Sequence, residues 1–160
     1  MKKLLVIAVV ALGIISCQPD PYKSIGERQN LITGIDGTWE ISDVKIIDLT
    51  LPVPEERDIS DFFLAMNSKI TVTFDSDAQT YTVKDVGALA NPFGSGGTYT
   101  FNADDYPDQI TFIDGSSSVI DFKLLNMVRE TDNELGLRLT RSNCGENYVA
   151  YKYTFKRLPL

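Results

Sequence analysis

The sequence has no histidine among its 160 residues. It therefore lacks the usual general base, the commonest metal ligand and the side chain that ordinarily titrates near neutral pH. It has only two cysteines, Cys17 and Cys144, so a framework of several disulfides is excluded. Catalysis by a histidine base and metal sites built on imidazole are excluded as well.

Basic residues are in the minority. Lysine and arginine number 15 against 22 aspartates and glutamates, and the formal net charge is −7. Lys2 and Lys3 both lie at the extreme N-terminus, so the rest of the chain is more acidic still. Nucleic acids and anionic lipid headgroups are bound through basic footprints. We therefore expect neither as a partner, and the length suits one domain with a real core.

The chain also lacks an apolar run long enough to cross a bilayer as a helix. The run over residues 4–15 follows Lys2 and Lys3 and is followed by Ser16. A basic start, a short apolar run and a small residue are typical of a secretory signal, here residues 1–16.

The end of that run, Ile14-Ile15-Ser16-Cys17, resembles the bacterial lipobox. In lipobox proteins the signal is cut before the cysteine, whose thiol is diacylated; an ordinary signal with a cysteine nearby is the alternative. The resemblance implies lipid attachment at Cys17, a lipidated tether over residues 17–35 and a stable membrane anchor. Cys144 then has no partner for a disulfide, and with no histidine to make it a thiolate we expect no catalytic role for it.

Beyond Gly37 the apolar residues recur with a period of two, and turn compositions separate the segments. This pattern predicts strands with one apolar and one polar face. Short connections favour an all-β, eight-stranded antiparallel up-and-down barrel over residues 36–160, with a two-sheet sandwich as the alternative. The eight segments contain Trp39, Ile70, Tyr81, Tyr99, Ile110, Ile120, Leu135 and Val149, respectively.

One segment breaks that period. In residues 56–67, Ile59, Phe62, Phe63 and Met66 fall at i, i+3, i+4 and i+7, which is one stripe of a helix, and Asp58 suits its N-terminal cap. We predict one short helix between the first two strands. It would be a plug packed over the barrel end or a lid that moves to admit a ligand.

Aromatic residues dominate the predicted inner face. Eight strands enclose an interior that side chains just fill or that holds one small ligand, so this stripe either packs a core or lines a pocket. Buried tyrosine hydroxyls need partners, which a pocket with a few polar points would provide. The predicted ligand-binding residues are Tyr81, Tyr99, Phe101, Phe112, Phe122, Tyr151 and Tyr153, with Phe155 in the same stripe.

Other candidate sites fail on their chemistry. The aspartates at 75, 77, 104, 105 and 108 could offer oxygens to calcium, but aspartate-rich turns form through bonds to their own backbone. Residues 94–97 look like a phosphate cradle, yet they precede a strand and no lysine follows, so we interpret them as a flexible loop. A glycosidase needs two carboxylates that face each other across a cleft, and nothing in the sequence indicates such a pair. We predict no metal, no cofactor and no enzymatic activity.

Gly37-Thr38-Trp39 at the opening of an eight-strand meander resembles the lipocalin and calycin group. In lipocalins a basic residue near the end of the last strand packs over this tryptophan. Arg157 is the positional match, and Arg138 and Arg141 remain possible. The resemblance implies that Gly37, Trp39 and Arg157 form a structural barrel end.

The whole mature chain resembles the lipocalin-like lipoproteins common in Bacteroidetes, a family without an assigned function. Its matching features include Gly97-Thr98-Tyr99, Tyr106-Pro107 and the closing run over residues 151–155. The resemblance implies an outer-membrane lipoprotein of a Gram-negative cell envelope, on the periplasmic face or the cell surface. We expect a non-catalytic module that binds a small apolar or amphipathic ligand or a glycan fragment. The alternative is an accessory lipoprotein that docks on an outer-membrane protein complex through its outer surface, with its barrel filled.

Overall fold

The computed structural model describes residues 33–63, 69–86, 91–104 and 106–159. Within them a single 3-10 turn at Thr33–Ile35 precedes the first strand, and one short helix, α1, spans Ser60–Phe63. The strands are β1 Gly37–Asp48, β2 Glu55–Asp58, β3 Lys69–Asp75, β4 Thr80–Val86, β5 Gly96–Phe101, β6 Gln109–Asp114, β7 Val119–Leu124, β8 Glu134–Asn143 and β9 Glu146–Arg157.

Eight of these strands form a closed antiparallel barrel in up-and-down order. From β3 to β9 each strand pairs with the next along the chain, β3 also pairs with β1, and β9 returns to β1 to close the ring. At the closing seam Trp39 lies opposite Arg157, and the pairing continues to Asp48 opposite Val149. The prediction of an eight-stranded up-and-down barrel is confirmed.

Strand β1 contains a β-bulge that explains its irregular apolar pattern. Its register against β9 shifts between Ile41 and Asp43. Trp39 and Ile41 are buried before the shift, and Val44 is buried after it. One extra residue in a strand moves the following side chains to the other face, so the alternation restarts out of step.

The segment after β1 differs from the prediction. Glu55–Asp58 is a strand whose four residues are all exposed, so the predicted helix start at residue 56 is wrong. This strand, β2, pairs with β1 over Lys45–Asp48, on the edge that β3 uses over Gly37–Glu40. It has no apolar face, and pairing with a free stretch of β1 satisfies its backbone groups.

Helix α1 begins directly after this strand. The Ser60 amide donates to Asp58 Oδ1 at 2.8 Å, so Asp58 does sit at the helix start as predicted. Ser60 Oγ in turn accepts a hydrogen bond from the Val44 amide at 2.9 Å, which fixes α1 on β1. The remainder of the predicted helix, residues 64–67, lies outside the described residues.

The core contains a ring that the sequence pattern did not indicate. Phe93, in the loop before β5, is fully buried. Its ring lies 5.2 Å from that of Phe122, 5.1 Å from that of Tyr153 and 5.5 Å from that of Phe155. This loop therefore places a side chain among the inner faces of β7 and β9.

The interpretation of residues 94–97 as a flexible loop is wrong at its second half, because Gly96 and Gly97 begin strand β5. A Cβ atom added at Gly97 would lie 2.0 Å from the carbonyl oxygen of Ile113. Only a glycine allows the backbones of β5 and β6 to approach this closely.

Candidate ligand-binding mouth

One end of the barrel is sealed by Trp39 and Arg157. The Trp39 indole donates to the Ile35 carbonyl at 2.8 Å, and the Arg157 guanidinium carbon lies 4.4 Å from the centroid of the Trp39 ring. Arg157 also donates to the carbonyls of Gly34, Asp36 and Asp132. A fully buried indole under a guanidinium that donates to several carbonyls covers this end of the barrel.

The structure thus brings together the residues expected at the barrel end. Gly37 has φ of +109°, a conformation that side-chain-bearing residues rarely adopt, and it turns the chain into β1. The other two arginines considered for this position lie elsewhere. Arg138 is in the middle of β8, and Arg141 lies near the opposite end of the barrel.

The centre of the barrel is filled by aromatic rings. Tyr81 stacks on Phe112 with 4.4 Å between centroids, and Phe112 lies 5.1 Å from Phe122. Tyr99 packs edge-on against Phe101 at 5.6 Å. Phe74 joins the two groups, since its ring lies 5.2 Å from that of Tyr99 and 5.8 Å from that of Phe112. These five predicted ligand-binding residues therefore pack the core.

The hydroxyls of two core tyrosines are satisfied within the protein. Tyr81 donates to the Phe93 carbonyl at 3.0 Å, and Tyr99 donates to the Asp75 carbonyl at 3.5 Å. Burial raises the pKa of both tyrosines to about 12, and nearby aspartates add to the effect. The Tyr81 hydroxyl thus holds the loop at Phe93 and the Tyr99 hydroxyl binds the end of β3, so neither needs a ligand.

At the end opposite Trp39 the barrel opens into a cavity of about 860 Å³. Strands β1, β8 and β9 form its walls, α1 borders one side, and the loop at residues 91–92 borders another. Its apolar lining is Ile46, Ile59, Phe63, Pro92, Leu139, Val149, Tyr148, Tyr151 and Tyr153, and its polar lining is Asn91, Arg141 and Ser142. We call this cavity the mouth.

Tyr153 lies at the floor of the mouth. Its ring meets Phe63 edge-on at 5.9 Å and stacks near Tyr151 at 6.3 Å. The residue is only 3% exposed, and its hydroxyl has no hydrogen-bond partner among the described residues. Burial raises the pKa of Tyr153, the neighbouring Tyr151 adds to this, and the Arg141 guanidinium opposes it. A neutral phenol therefore faces the cavity as an available donor or acceptor.

Arg141 supplies a positive charge at the rim. The residue is exposed, and it forms no ion pair or hydrogen bond with any other described side chain. Asn91, by contrast, is occupied in holding its own loop, since it donates to the Gly94 carbonyl at 2.7 Å and accepts from the Phe93 amide at 3.0 Å. Three polar groups of the mouth therefore have no side-chain partner in the described part of the chain, namely the Tyr153 hydroxyl, Arg141 and Ser142.

A second cavity, of about 420 Å³, adjoins the mouth across its rim. It shares Ile46, Tyr148, Val149 and Tyr151 with the mouth and extends towards Arg57 on β2. Because the two cavities share these residues, a ligand longer than the mouth would have room to continue between β2 and the start of β9.

Sequence reasoning found part of this site. It identified Tyr151 and Tyr153 as ligand-binding residues and Ile59 and Phe63 as a stripe at the barrel end. It missed Arg141, which continues the inward alternation of β8 two positions beyond Leu139. That continuation was the available signal.

The described residues contain no group of three or more acidic or cysteine side chains placed to hold a metal ion. Asp75 Oδ1 instead accepts a hydrogen bond from the Ala78 amide at 2.9 Å and so builds the turn after β3. Cys144 is an exposed thiol in the turn between β8 and β9. No helix within the described ranges is long and apolar enough to cross a bilayer.

No protein-family model matches the sequence, and no curated protein matches it either.

Proposed function

We propose that this protein is a non-catalytic, lipocalin-like binding protein, anchored to the membrane through Cys17, that takes a small amphipathic acid into its mouth. A closed eight-stranded up-and-down barrel fits a lipocalin-like binding fold. The single observation that carries the proposal is that one cavity combines an apolar lining with two polar groups that have no partner among the described residues, the Tyr153 hydroxyl and the Arg141 guanidinium.

The size and lining of the mouth suit the apolar part of such a ligand. At about 860 Å³ it falls within the usual range for small-molecule sites, roughly 300–1,000 Å³. Ile46 and Leu139 lie opposite Tyr151 on the two neighbouring strands, so three strands present apolar side chains at one level. Burying a hydrocarbon chain against them gains about 25 cal/mol for each Å² removed from water.

The polar groups favour an acid over a neutral glycan. Arg141 is a fixed cation that a carboxylate pairs with in bidentate geometry, and the Tyr153 hydroxyl is close enough for Arg141 to influence its pKa. A neutral glycan fragment would use the hydroxyl and the tyrosine rings but leave the arginine unpaired. An amphipathic acid uses every free polar group of the site.

The anchor belongs to the same proposal. It rests on Ile14-Ile15-Ser16-Cys17, which lies outside the described residues, and it implies an outer-membrane address in a Gram-negative envelope. Replacement of Cys17 by serine should move the protein from the membrane fraction to the soluble fraction. Retention of Cys17→Ser in the membrane fraction would refute lipid attachment at this residue.

The binding function is tested with the amphipathic anion 1-anilinonaphthalene-8-sulfonate. We expect saturable fluorescence enhancement with the folded chain, weakened roughly fivefold in Arg141→Gln because one exposed ion pair is lost. Val149→Trp should abolish it by filling the mouth. Lys156→Gln removes the same charge from the outer wall and should bind as the parent does.

Two results would refute the mouth as a binding site. One is the absence of any enhancement with the folded parent chain. The other is equal enhancement in the parent, Arg141→Gln and Val149→Trp. Far-UV circular dichroism reports in each sample that the barrel is intact, because Val149→Trp adds a second tryptophan to Trp39 and complicates a fluorescence control.

A further inference from the structure

A row of four cations crosses the outer wall of the barrel. Lys123 on β7 is directly opposite Arg138 on β8, Arg138 is opposite Lys152 on β9, and Lys152 is opposite Lys45 on β1. Directly opposed residues of antiparallel strands lie about 5 Å apart at their Cα atoms. The row therefore places four positive charges side by side on four consecutive strands.

All four side chains point away from the core. The residues next to them in their strands are buried on the inner face, so the alternation places the cations on the outer face; these inner neighbours include Phe122, Leu137, Tyr153 and Val44. None of the four cations forms an ion pair or a side-chain hydrogen bond with another described residue. The Nε atom of Arg138 is buried without a partner.

Such a row works against the stability of the sheet, because like charges on directly opposed residues repel. The same strands show the opposite arrangement four residues further along β9. Lys156, also on the outer face of β9, is flanked by Glu40 on β1 and Glu134 on β8. Within the row only Lys45 has an acidic residue directly opposite it, Asp58 on β2, whereas Lys123, Arg138 and Lys152 have none. Local violations of this kind mark functional positions.

We propose that this row is a docking site for a flexible, aspartate- and glutamate-rich segment of a partner protein. The inference goes beyond the ligand-binding function and holds whether or not the mouth is occupied, because the row lies on the outside of the wall. Docking through the outer surface is the alternative function named from the sequence. The row now gives that alternative specific residues and a partner of stated chemistry.

The curvature of the barrel selects a flexible partner. Eight strands make up the whole circumference of the barrel, so neighbouring strands are about 45° apart around the barrel axis. The row of four cations therefore covers roughly 135° of the wall. A flat surface, such as a lipid bilayer, meets one or two of these strands at a time. An extended chain wraps around the wall and reaches all four cations.

The surroundings of the row select carboxylates over nucleic acid. The outward residues beside Arg138 and Lys152 are Gly136, Thr140, Ala150 and Thr154. Single-stranded nucleic acids are held by aromatic side chains on which bases stack, and none stands beside these two cations. These neighbours are small and neutral, so they offer no ring on which a base could stack.

The test measures binding of a fluorescently labelled poly-glutamate peptide to the full folded domain at low salt, with poly-glutamine as the control peptide. We expect the parent chain to prefer poly-glutamate and the affinity to fall as salt rises. The double variant Arg138→Gln/Lys152→Gln should bind roughly tenfold more weakly. Lys156→Gln, with the same kind of change on the same face of β9, should stay within about twofold of the parent.

Equal affinity of the parent for the two peptides would overturn the proposal, and so would equal weakening by Lys156→Gln and by the double variant Arg138→Gln/Lys152→Gln. Tighter binding of anionic vesicles or of a single-stranded oligonucleotide than of poly-glutamate would also overturn it, because the row would then serve another anion. Anilinonaphthalene sulfonate binding in the double variant reports separately on the mouth. Failure at one site is therefore distinguishable from failure at the other.

Discussion

The Arg157 guanidinium carbon lies over the Trp39 indole, 4.4 Å from the ring centroid, and the same two residues face each other across the seam that closes the barrel. The contact therefore joins the first strand to the last. Arg157 also donates to backbone carbonyls of Gly34, Asp36 and Asp132, which belong to segments outside the barrel wall. One side chain thus fastens the seam and the two segments that cover its end.

Arg157→Lys should lower the free energy of unfolding by about 2–4 kcal/mol. Lysine keeps the charge but loses the planar stacking and the forked donors, and charge-assisted hydrogen bonds contribute about 1.5–3 kcal/mol each. Urea unfolding followed by Trp39 fluorescence measures the change. Arg129→Lys, at an exposed position, should change stability by less than about 0.5 kcal/mol. Equal losses in the two variants would contradict the role assigned to Arg157.

Phe93→Ala should cost about 3–5 kcal/mol, as much as truncating a core residue of a strand. The ring is fully buried against Phe122, Tyr153 and Phe155, so its removal leaves a cavity in the middle of the barrel. Thermal unfolding by circular dichroism measures the loss. Tyr106→Ala removes an exposed loop aromatic and is the matched control. A Phe93 variant as stable as the Tyr106 variant would show that the ring is not part of the core.

The barrel should lose stability as pH rises from about 10 to 12. Tyr81 and Tyr99 have their pKa raised from 10.0 to about 12 in the folded chain, mainly by burial. A group whose folded pKa is raised stabilises the fold fully below its unfolded pKa and loses that contribution as pH rises towards the folded one. Denaturant midpoints measured across this window should fall.

The double variant Tyr81→Phe/Tyr99→Phe tests whether these two hydroxyls cause the pH dependence. At the low end of the pH window it should be less stable than the parent, because two hydrogen bonds are lost. Its denaturant midpoint should nevertheless fall less steeply as pH rises. Tyr106→Phe, at an exposed position, should keep the steepness of the parent. Identical slopes in all three proteins would rule out these two tyrosines as the cause.

Lys152→Gln should raise the free energy of unfolding at low salt by a few tenths of a kcal/mol, since it relieves repulsion from Arg138 and Lys45 on both sides. Lys156→Gln should lower it by a similar amount, because its neighbours are Glu40 and Glu134. Both differences should shrink in high salt, where surface charges are screened. Urea unfolding of both variants at two salt concentrations measures these changes. If Lys152→Gln and Lys156→Gln changed the free energy of unfolding in the same direction, the proposed repulsion would be refuted.

The barrel itself could be predicted from the sequence because each strand buries one face, and burial with a period of two is visible in a single chain. The structure places Trp39 against Arg157 as the resemblance implied. Strand β2 could not be found in this way. Its four residues are all exposed, and its pairing with β1 depends on backbone hydrogen bonds that any side chains permit.

The candidate site was harder to predict, for two reasons. Phe93 stands in a segment rich in proline and glycine, where no periodicity marks a residue as buried, and its ring fills space that the strand aromatics leave. The mouth exists because α1, the loop at 91–92 and the ends of three strands meet, and such meetings depend on tertiary packing. Only the inward alternation of β8 and β9 carried local information about Arg141, Tyr151 and Tyr153.

The seam between β1 and β9 has a consequence for how the chain folds. Arg157 and the Asp36 carbonyl to which it donates are 121 residues apart in sequence, so this closure cannot form until nearly the whole domain has been synthesised. Folds dominated by pairings of such long range generally fold in milliseconds to seconds, because the entropy of a large loop opposes the pairing. Until β9 arrives, β1 has one unpaired edge, and this is the interval in which the nascent chain is most exposed to aggregation.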